Sequence, residues 1–377
     1  MINTYNVLHK GWKYFDIMHK DRKVARIYEN GKCSIYYPSF LPYNIYLEKG
    51  DDVDIKTNNL VNFYYWCASR VLTLDRKYVK EILNTLGATQ ATTDKDRAAI
   101  AIAYHGLSLL DVYWVRSRTE KRTFSELSIY RHSLSNAFMD LCLRGKSITV
   151  HNEELYESRN QAADLSTPGV APKAWIRENN KFYLLKDGDL RDVKAELLAS
   201  KIVNCFKVQS VTYEEESFNG LPVSKSSIIT SEDISIVPIE ALDIYCTNKE
   251  IKTLDYIIKK DKYNYYMMNI IDYLIGNIDR HWNNWGFYVD NKKNKIKGLY
   301  PLMDFNKAFK EYDSIEGTVC LPIHSLTNKW VSQKNAAIEA VKRVGLNMIK
   351  KIDEDWFEDD KIKNMFYQRL KLLEEIK

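Results

Sequence analysis

The order of strand-like and helix-like segments in the second half of the chain constrains the fold most. Residues 173–189 and 209–230 each alternate apolar and polar side chains around a turn, at Asn179-Asn180 and at Asn219-Gly220, as β-hairpins do. Residues 191–206 between them have helical periodicity, and the remaining C-terminal part is mostly helical. This order predicts a two-lobed α+β fold with a cleft between the lobes.

The first half of the chain carries a further set of elements. Residues 24–50 alternate in the manner of strands, with Asn30-Gly31 as a hairpin turn. Helices are predicted over residues 73–87 and 93–106. Residues 145–175 have little periodicity and contain prolines, which marks a domain boundary. We therefore predict an N-terminal α/β subdomain at residues 1–150, a strand-rich part at 151–248 and a helical part at 249–377.

Composition excludes several classes of protein. With 45% hydrophobic and 28% charged residues in 377, the chain has a globular rather than a disordered composition. A net charge of +5 is mild, so no nucleic-acid partner is predicted. The six cysteines form no CxxC pair and are expected to be reduced thiols. Neither a signal peptide nor an apolar membrane span is evident, so we expect a cytoplasmic protein without a membrane partner.

The polar run in GNIDRHWNNWGF, residues 276–287, is the candidate site. Asp279 and Asn284 are five residues apart, the separation of the base aspartate and the metal-binding asparagine in the kinase motif H-R-D-x-x-x-x-N. Asp304 ends an apolar run downstream, in GLYPLMDFNKAF. Asn284 and Asp304 would supply the hard oxygen ligands that Mg²⁺ prefers. Asp279 would then accept the proton of a hydroxyl nucleophile. The alternative is a structural turn whose polar groups satisfy one another.

Upstream residues are compatible with phosphate binding. KFYLLK ends at Lys186, where a strand would place a cation against the α- and β-phosphates of a nucleotide. Glu196, in the next predicted helix, would pair with this lysine as the corresponding residues do in kinases, with Glu216 or another acid as the alternative partner. The loop STPGVAPK, residues 166–173, would cover the phosphates with backbone N–H groups, although each proline in it removes one donor.

Together these motifs resemble a known family. GNIDRHWNNWGF, MDFNKAF, YLLK and STPGVAPK are similar to the corresponding segments of the HipA-type bacterial serine/threonine kinases, which are related to the phosphoinositide kinases and have the order D-R-H-x-x-N followed by Asp-Phe. YHGLSLLDVYWVR is similar to the Firmicutes-type branch of that family. The resemblance covers roughly residues 100–310. It implies a HipA/protein-kinase-like fold with a strand-rich N-lobe and a mostly helical C-lobe.

The resemblance also implies a role for each matching residue. Asp279 would be the catalytic base, with Lys186 and His281 in the catalytic set, although His281 and Arg280 could instead brace the loop. Asn284 and Asp304 would hold Mg²⁺. Ser166 matches the serine that becomes autophosphorylated in HipA, which ejects the phosphate loop and silences the kinase. The residues implied to bind ATP are Gly169, Val170, Ala171, Lys173, Lys186, Glu196, Ser227, Ile228 and Ile229.

The function predicted from the sequence is therefore an ATP- and Mg²⁺-dependent kinase that phosphorylates a Ser or Thr hydroxyl of a protein. Family analogy implies a toxin of a toxin–antitoxin system, with a substrate in the translation machinery and a helix-turn-helix antitoxin as partner. Two alternatives stay open. One is a small-molecule or lipid kinase, against which the lack of a basic amphipathic helix weighs in the lipid case. The other is a pseudokinase that binds nucleotide and serves as an interaction module.

Overall fold

The structure, a computed structural model, describes residues 14–85, 93–131, 142–143 and 170–376, and the chain divides into two compact units. The first consists of Met1–Lys186, Thr230–Ile236 and Val289–Lys295. The second consists of Asp187–Ile229, Val237–Tyr288 and Ile296–Lys377. The boundaries predicted near residues 150 and 248 stay predictions.

A four-stranded antiparallel sheet lies in the first unit, in the order β3-β2-β1-β4. Asp16 of β1 lies opposite Arg26 and Arg116 and accepts hydrogen bonds from both, at 2.6 and 3.1 Å. On the other face Phe15 stacks on Phe63 of α1. Ion pairs therefore hold one face of the sheet, and the other face packs in the hydrophobic core. The strands are β1 (Tyr14–His19), β2 (Arg22–Tyr28), β3 (Cys33–Ile35) and β4 (Tyr113–Ser117), and α1 is Val53–Ala68.

Among its described residues, this unit also has the helices α2 (Val79–Thr85), α3 (Asp94–Ala103) and α4 (Phe124–Leu127). Thr93 and Asp96 form a capping box at the start of α3, which confirms the predicted helix start, because the capping residues satisfy N–H groups that have no partner inside the helix. Arg70, just after α1, is buried and holds Asp111 with two bonds of 2.7 and 2.8 Å. This ion pair satisfies the carboxylate of Asp111, the one acidic residue in an otherwise apolar stretch.

The first hairpin predicted in the second half of the chain is also present. Strands β5 (Lys173–Glu178) and β6 (Lys181–Lys186) pair in antiparallel register. Asn179 and Asn180 have φ values of 49° and 63°, a left-handed conformation that asparagine tolerates better than most residues. β6 ends at Lys186, as the sequence predicts.

The second unit begins with the helix and the hairpin that follow. Helix α5 (Leu190–Val203) starts at the N-cap Asp189, whose carboxylate accepts the N–H of Asp192 at 2.8 Å. Strands β7 (Tyr213–Phe218) and β8 (Leu221–Ser227) form the hairpin predicted around Asn219-Gly220. Ser224 of β8 donates to Glu196 of α5 at 2.6 Å, which holds the helix against the hairpin.

Five helices make up most of the rest of this unit. Helix α7 bends at Asp261, where the backbone leaves the helical region, and the Asp261 carboxylate accepts the N–H of Asn264 at 3.1 Å. Residues 267–274 of α7 are all buried, so this helix lies in the core of the unit and ends where the polar run begins. The five are α6 (Ile239–Asn248), α7 (Thr253–Leu274), α8 (Leu321–Thr327), α9 (Gln333–Val344) and α10 (Asp360–Glu374).

A three-stranded sheet in the order β11-β10-β9 contributes residues to both units. Its strands are β9 (Ile234–Pro238), β10 (Gly286–Asp290) and β11 (Lys295–Leu299). β10 starts where the polar run ends and β11 leads to Asp304, so the two predicted loops lie before β10 and after β11. Within the described ranges, no helix combines the length and apolarity needed to cross a bilayer.

Candidate active site

The polar run forms a loop between α7 and β10. Gly276 opens this loop with a φ of 57°, and a Cβ atom there would collide with the ring of Tyr312, so only glycine fits without rearrangement. Asn277 follows, and its side chain donates to Asp272 of α7 at 3.1 Å. Gln333 of α9 donates to the main-chain oxygen of Asn277 at 2.7 Å. The start of the loop is therefore held from two helices.

Arg280 joins this loop to the loop that carries Asp304. Its side chain is buried and forms an ion pair with Asp272, with Nε and Nη2 each 2.9 Å from a carboxylate oxygen. Nη1 donates to the main-chain oxygens of Asn284 at 2.9 Å and of Met303 at 2.7 Å. Met303 directly precedes Asp304. One buried guanidinium thus brings together the backbones that carry the two predicted metal ligands.

Asp279, the predicted base, is half-buried on this loop. Its N–H donates to the side chain of Asn277 at 3.1 Å. Burial raises the pKa of the Asp279 carboxyl above its ordinary value, and nearby Asp304 raises it further, while His281 and Lys307 act in the opposite direction. A carboxylate with a raised pKa is a stronger base than an ordinary aspartate.

Asn284 is buried, and its amide orientation is set by the loop. The side-chain nitrogen donates to the main-chain oxygen of Asp279 at 2.8 Å, and its backbone N–H donates to the main-chain oxygen of His281 at 2.9 Å. Because the amide nitrogen is used inside the loop, the amide oxygen Oδ1 is the atom that a cation would meet. Amide oxygens are among the hard ligands of Mg²⁺ and Ca²⁺.

Asp304 has a φ of 61°, which is uncommon for a residue with a side chain. Its N–H donates to the hydroxyl of Tyr213 at 3.0 Å. The next residue, Phe305, packs edge-on against the Tyr213 ring, with centroids 6.2 Å apart, and lies 5.7 Å from the Arg280 guanidinium. Left-handed backbone at such a position persists when the surroundings hold it, and it is frequent at active sites.

His281, the third residue of the predicted catalytic set, is exposed. Its Nδ1 accepts the N–H of Asn283 at 3.2 Å, which fixes the orientation of the ring. Of the two residues expected to brace the loop, Arg280 has its side chain in the interior, where it bonds the main-chain oxygens of Asn284 and Met303. A direct catalytic role of His281 stays a prediction.

Lys186 and Glu196 are both buried, but they belong to different units. Lys186 is the last residue of β6, and Glu196 lies on α5, where it accepts from Ser224. Their positions at a strand end and in the following helix are those that the sequence predicts. The ion pair between them stays a prediction.

The described part of the predicted phosphate loop is hydrogen-bonded to the segment just before α2. The main-chain oxygen of Val170 accepts the N–H of Lys77 at 3.1 Å, and that of Lys173 accepts Nη2 of Arg76 at 2.5 Å. Val170 is exposed, Ala171 is half-buried and Lys173 is buried at the start of β5. ATP binding by these residues stays a prediction.

Five more predicted site residues lie either outside the described residues or at and just after the end of β8. Ser166 and Gly169 lie outside the residues that the structure describes. Ser227 is exposed as the last residue of β8, and half-buried Ile228 and Ile229 follow it. Residue 230, which follows them in the chain, belongs to the first unit. The adenine contact predicted for these three residues stays a prediction.

Sequence reasoning missed the residues that support the site. Asp272 precedes Arg280 by 8 residues, and Tyr213 is remote from Asp304 in sequence. Lys307 forms an ion pair with Asp192 of α5, and it stands only three residues after Asp304. A basic residue so close to a predicted metal ligand was a signal that could have drawn attention to it.

The donor set fits magnesium better than a tightly caged metal. Across the described ranges, no group of three or more His, Cys, Asp or Glu side chains could hold a metal ion. Asn284 and Asp304 offer two oxygen ligands on loops that Arg280 joins. Mg²⁺ is commonly held by one or two protein ligands, with water and substrate phosphates completing its octahedron.

Comparison with known proteins identifies the fold. No protein-family model and no curated protein matches the chain. The solved structure of HipA from Shewanella oneidensis MR-1, in complex with HipB and operator DNA, is similar with a TM-score of 0.53 and 13% sequence identity, covering 96% of each chain. The Helicobacter pylori proinflammatory kinase CtkA aligns with a TM-score of 0.38 and 15% identity, over 54% of this chain and 90% of its own.

The likeness to HipA confirms the predicted fold class. This chain has a HipA-like kinase fold of the α+β class, with antiparallel sheets and helices. At this identity the likeness concerns the fold alone. Assignment to the Firmicutes-type branch stays a prediction.

Proposed function

We propose that this chain is an ATP- and Mg²⁺-dependent kinase that transfers the γ-phosphoryl group of ATP to a Ser or Thr hydroxyl of a protein. The observation that carries the proposal is the Arg280 junction, which brings the loop of Asp279 and Asn284 against the residue before Asp304. A structural turn would need no raised pKa at Asp279, whereas a general base benefits from one.

Asp279 acts on the nucleophile in this reaction. Its carboxylate accepts a hydrogen bond from the attacking hydroxyl and takes the proton as the new oxygen–phosphorus bond forms. The bond between the γ-phosphorus and the bridging oxygen breaks at the same time, and ADP leaves with that electron pair. Because such transition states are loose, positioning and charge neutralisation supply most of the catalysis. Mg²⁺, held by Asn284 and Asp304, would supply part of that neutralising charge.

The remaining predicted residues would bind the nucleotide. Lys186 would contact the α- and β-phosphates and pair with Glu196, and the backbone around Val170 and Ala171 would cover the phosphates. Burial of Lys186 at the end of β6 and of Glu196 on α5 supports these roles, because a buried charge needs a partner. Phosphorylation of Ser166 would silence the enzyme, as the family resemblance implies.

A partner protein is part of the proposal. The similar HipA structure is a complex with HipB and operator DNA from a toxin–antitoxin system. We infer by analogy that this chain acts as a toxin that an antitoxin restrains, with a substrate in the translation machinery. Co-expression with the product of a neighbouring gene that encodes a helix-turn-helix protein would relieve growth inhibition if this inference holds.

The decisive experiment is phosphoryl transfer by the purified protein. With Mg²⁺ and radiolabelled ATP, the protein should label itself or the proteins of an added bacterial extract. Asp279→Asn keeps the size of the side chain but removes the base, so labelling should fall by about 10²–10⁴-fold. Asp255→Asn is a matched control, because Asp255 is exposed in the first turn of α7, at the opposite end of that helix.

Two results would contradict the proposal. One is wild-type protein that gives no label under any of these conditions. The other is equal labelling by wild type and Asp279→Asn, which would mean that the loop is structural.

A further inference from the structure

Gln333 of α9 bonds the loop of Asp279 and a second segment of the chain at the same time. Its side chain is buried, and Nε2 donates to the main-chain oxygen of Asn277 at 2.7 Å. Oε1 accepts the N–H of Thr318 at 3.2 Å, and the N–H of Gln333 donates to the main-chain oxygen of Thr318 at 2.7 Å. The reverse orientation of the amide would bring donor against donor and acceptor against acceptor. The contacts therefore fix the orientation of this amide.

Asn277 connects this contact to Asp279. It is buried, and its N–H and its side-chain nitrogen both donate to Asp272, at 2.9 and 3.1 Å. Its Oδ1 accepts the N–H of Asp279 at 3.1 Å, and its main-chain oxygen accepts Nε2 of Gln333. That oxygen belongs to the planar peptide group between Asn277 and Ile278. The bond from Gln333 therefore restrains the main chain two residues before the predicted base.

The main chain that carries Gln333 is itself held in place. Val319 and Ser332 pair in an antiparallel bridge. The Ser332 hydroxyl donates to Glu316 at 2.9 Å, and Glu316 forms an ion pair with Lys334 at 2.6 Å. Both neighbours of Gln333 are thus bonded to the segment that contains Glu316 and Val319. A side chain on such a support can restrain the loop on its other side.

Gly317 lies directly against the amide of Gln333. Its φ is 66°, and a Cβ atom added there would be 2.6 Å from Oε1 of Gln333 and 3.1 Å from its Cβ. Contacts of that length require the amide to shift. Gly317→Ala would therefore displace the side chain of Gln333 without changing any atom of it. Gly220 is a matched control, because its φ is 78° and nothing lies within 4 Å of a Cβ atom there.

We propose that Gln333 is a positioning residue for the catalytic base. By holding the carbonyl group of Asn277 from α9, it keeps the main chain at Asp279 in the geometry that proton transfer needs. This inference rests on the proposed kinase function and adds a residue that no sequence motif contains. A shift of about 1 Å in a catalytic group can lower a rate by about 10²-fold, so loss of this support has a measurable effect on kcat.

A purely structural role for Gln333 makes a different prediction. If its bonds only stabilise the fold, loss of its amide should lower the rate by the same factor whether or not the Asp279 carboxylate is present. If it positions the base, the loss should matter only while that carboxylate is there to be positioned. A double-mutant cycle separates the two cases, because it measures whether two changes act independently.

The experiment measures label transfer from radiolabelled MgATP for wild type, Gln333→Met, Asp279→Asn and the double variant. Methionine has a similar length but no donor for Asn277. We expect Gln333→Met to lower kcat by up to about 10²-fold, with KM for MgATP changed far less, since the nucleotide is assigned to other residues. In the Asp279→Asn background the same change should have little further effect. Gln368→Met is the control and should keep the wild-type rate, because Gln368 is exposed on α10.

Gly317→Ala tests the same contact without altering Gln333. It should lower kcat as Gln333→Met does. Gly220→Ala, which also places a side chain on left-handed backbone, should keep the wild-type rate. Thermal melting shows whether each variant is folded, and Gly317→Ala keeps the test informative if Gln333→Met is not.

Gln333→Glu gives a pH-dependent readout. The neutral carboxylic acid can donate to Asn277 and accept from Thr318, whereas the carboxylate has no donor. Burial and the main-chain oxygens of Asn277 and Asp272 disfavour the charged form, which raises the pKa of the introduced carboxyl above its ordinary value. The nearby carboxylates of Asp272 and Glu316 are each paired with a cation. The rate relative to wild type should therefore fall as the pH rises, and a ratio that is constant with pH would contradict the proposal.

The outcomes distinguish this inference from the function on which it rests. A Gln333→Met rate equal to that of wild type would overturn the inference while sparing the kinase. An equal loss from Gln333→Met with and without the Asp279 carboxylate would overturn it in favour of a structural role, and so would equal losses in Gly317→Ala and Gly220→Ala. Wild-type protein without phosphoryl transfer would overturn both proposals together.

Discussion

The surroundings of Asp279 shift the pKa of its carboxyl in opposite directions. Burial and Asp304 raise the pKa of its carboxyl, while His281, Lys307 and Arg280 lower it. At the same scale, Asn284 has its amide nitrogen bonded inside the loop, so only its oxygen faces a ligand. The motif spacing predicts Asp279 and Asn284 as site residues. It could not predict their electrostatics, because Asp304 and Lys307 reach Asp279 through folding and not through sequence proximity.

The pH dependence of activity follows from the direction of this shift. A general base acts when deprotonated, so kcat/KM should fall as the pH drops through the Asp279 pKa, which lies above the ordinary value of 3.8. We expect a single acid limb in the pH profile, displaced upward from that value. The measurement is the initial rate of label transfer between pH 4 and pH 8, with protein stability followed in parallel. A rate independent of pH across this range would contradict the role of Asp279 as base.

The elements around the site owe their positions to long-range hydrogen bonds. Helix α10 contributes Arg369, which is fully buried and donates to the main-chain oxygens of Tyr273 and Ser314, each at 2.5 Å. The Tyr273 hydroxyl in turn donates to the main-chain oxygen of Ile315 at 2.8 Å. The last turn of α7 and the segment after Asp304 are therefore joined through a helix near the C-terminal end of the described chain.

Loss of Arg369 should destabilise the protein. Arg369→Met keeps an apolar chain of similar length but removes both hydrogen bonds from the charged guanidinium, and hydrogen bonds to charged groups contribute about 1.5–3 kcal/mol each. We expect a clear drop in Tm by calorimetry or circular dichroism. Arg343→Met is the matched control, because Arg343 is exposed on α9 and pairs with Glu339 four residues away, an interaction worth about 0.3–0.5 kcal/mol. Equal Tm changes in the two variants would refute this view of Arg369.

The sequence predicted the local elements, but it did not predict the long-range contacts that hold them together. Three hairpins and helix α3 form where asparagine turns and the Thr93 cap predict them, because these signals act over a few residues. The contacts of Asp304 with Tyr213 and of Arg369 with Ser314 join residues that are far apart in the chain. No pattern in one sequence encodes such pairs.

On the scale of the whole molecule, the chain passes between two compact units more than once. The first unit also includes Thr230–Ile236 and Val289–Lys295, which come after the start of the second unit in the chain. Each of these segments is too short to have a distinctive composition. The sequence alone therefore could not assign them to the first unit. Lys186 belongs to the first unit, and Asn284 and Asp304 belong to the second. Ligand binding is therefore best followed by the stability of the whole chain.

MgATP should raise the Tm of the intact protein. A ligand that binds only the folded state stabilises it by about 2.7 kcal/mol at 100 times its Kd. We expect a dose-dependent rise in Tm with MgATP by differential scanning fluorimetry, and a smaller rise when EDTA removes Mg²⁺. Asp304→Asn should reduce the metal-dependent part of the shift. A Tm that does not change over millimolar MgATP would contradict nucleotide binding.

The left-handed backbone at Asp304 decides how that position should be tested. Aspartate and asparagine adopt a φ near 61° more readily than alanine or branched residues. An alanine there would remove a carboxylate and add backbone strain in one step, so its lost activity would not measure the ligand alone. Asparagine preserves the turn and changes only the charge. At this position, the choice between two ordinary substitutions determines whether a kinetic defect reports on chemistry or on the shape of the main chain.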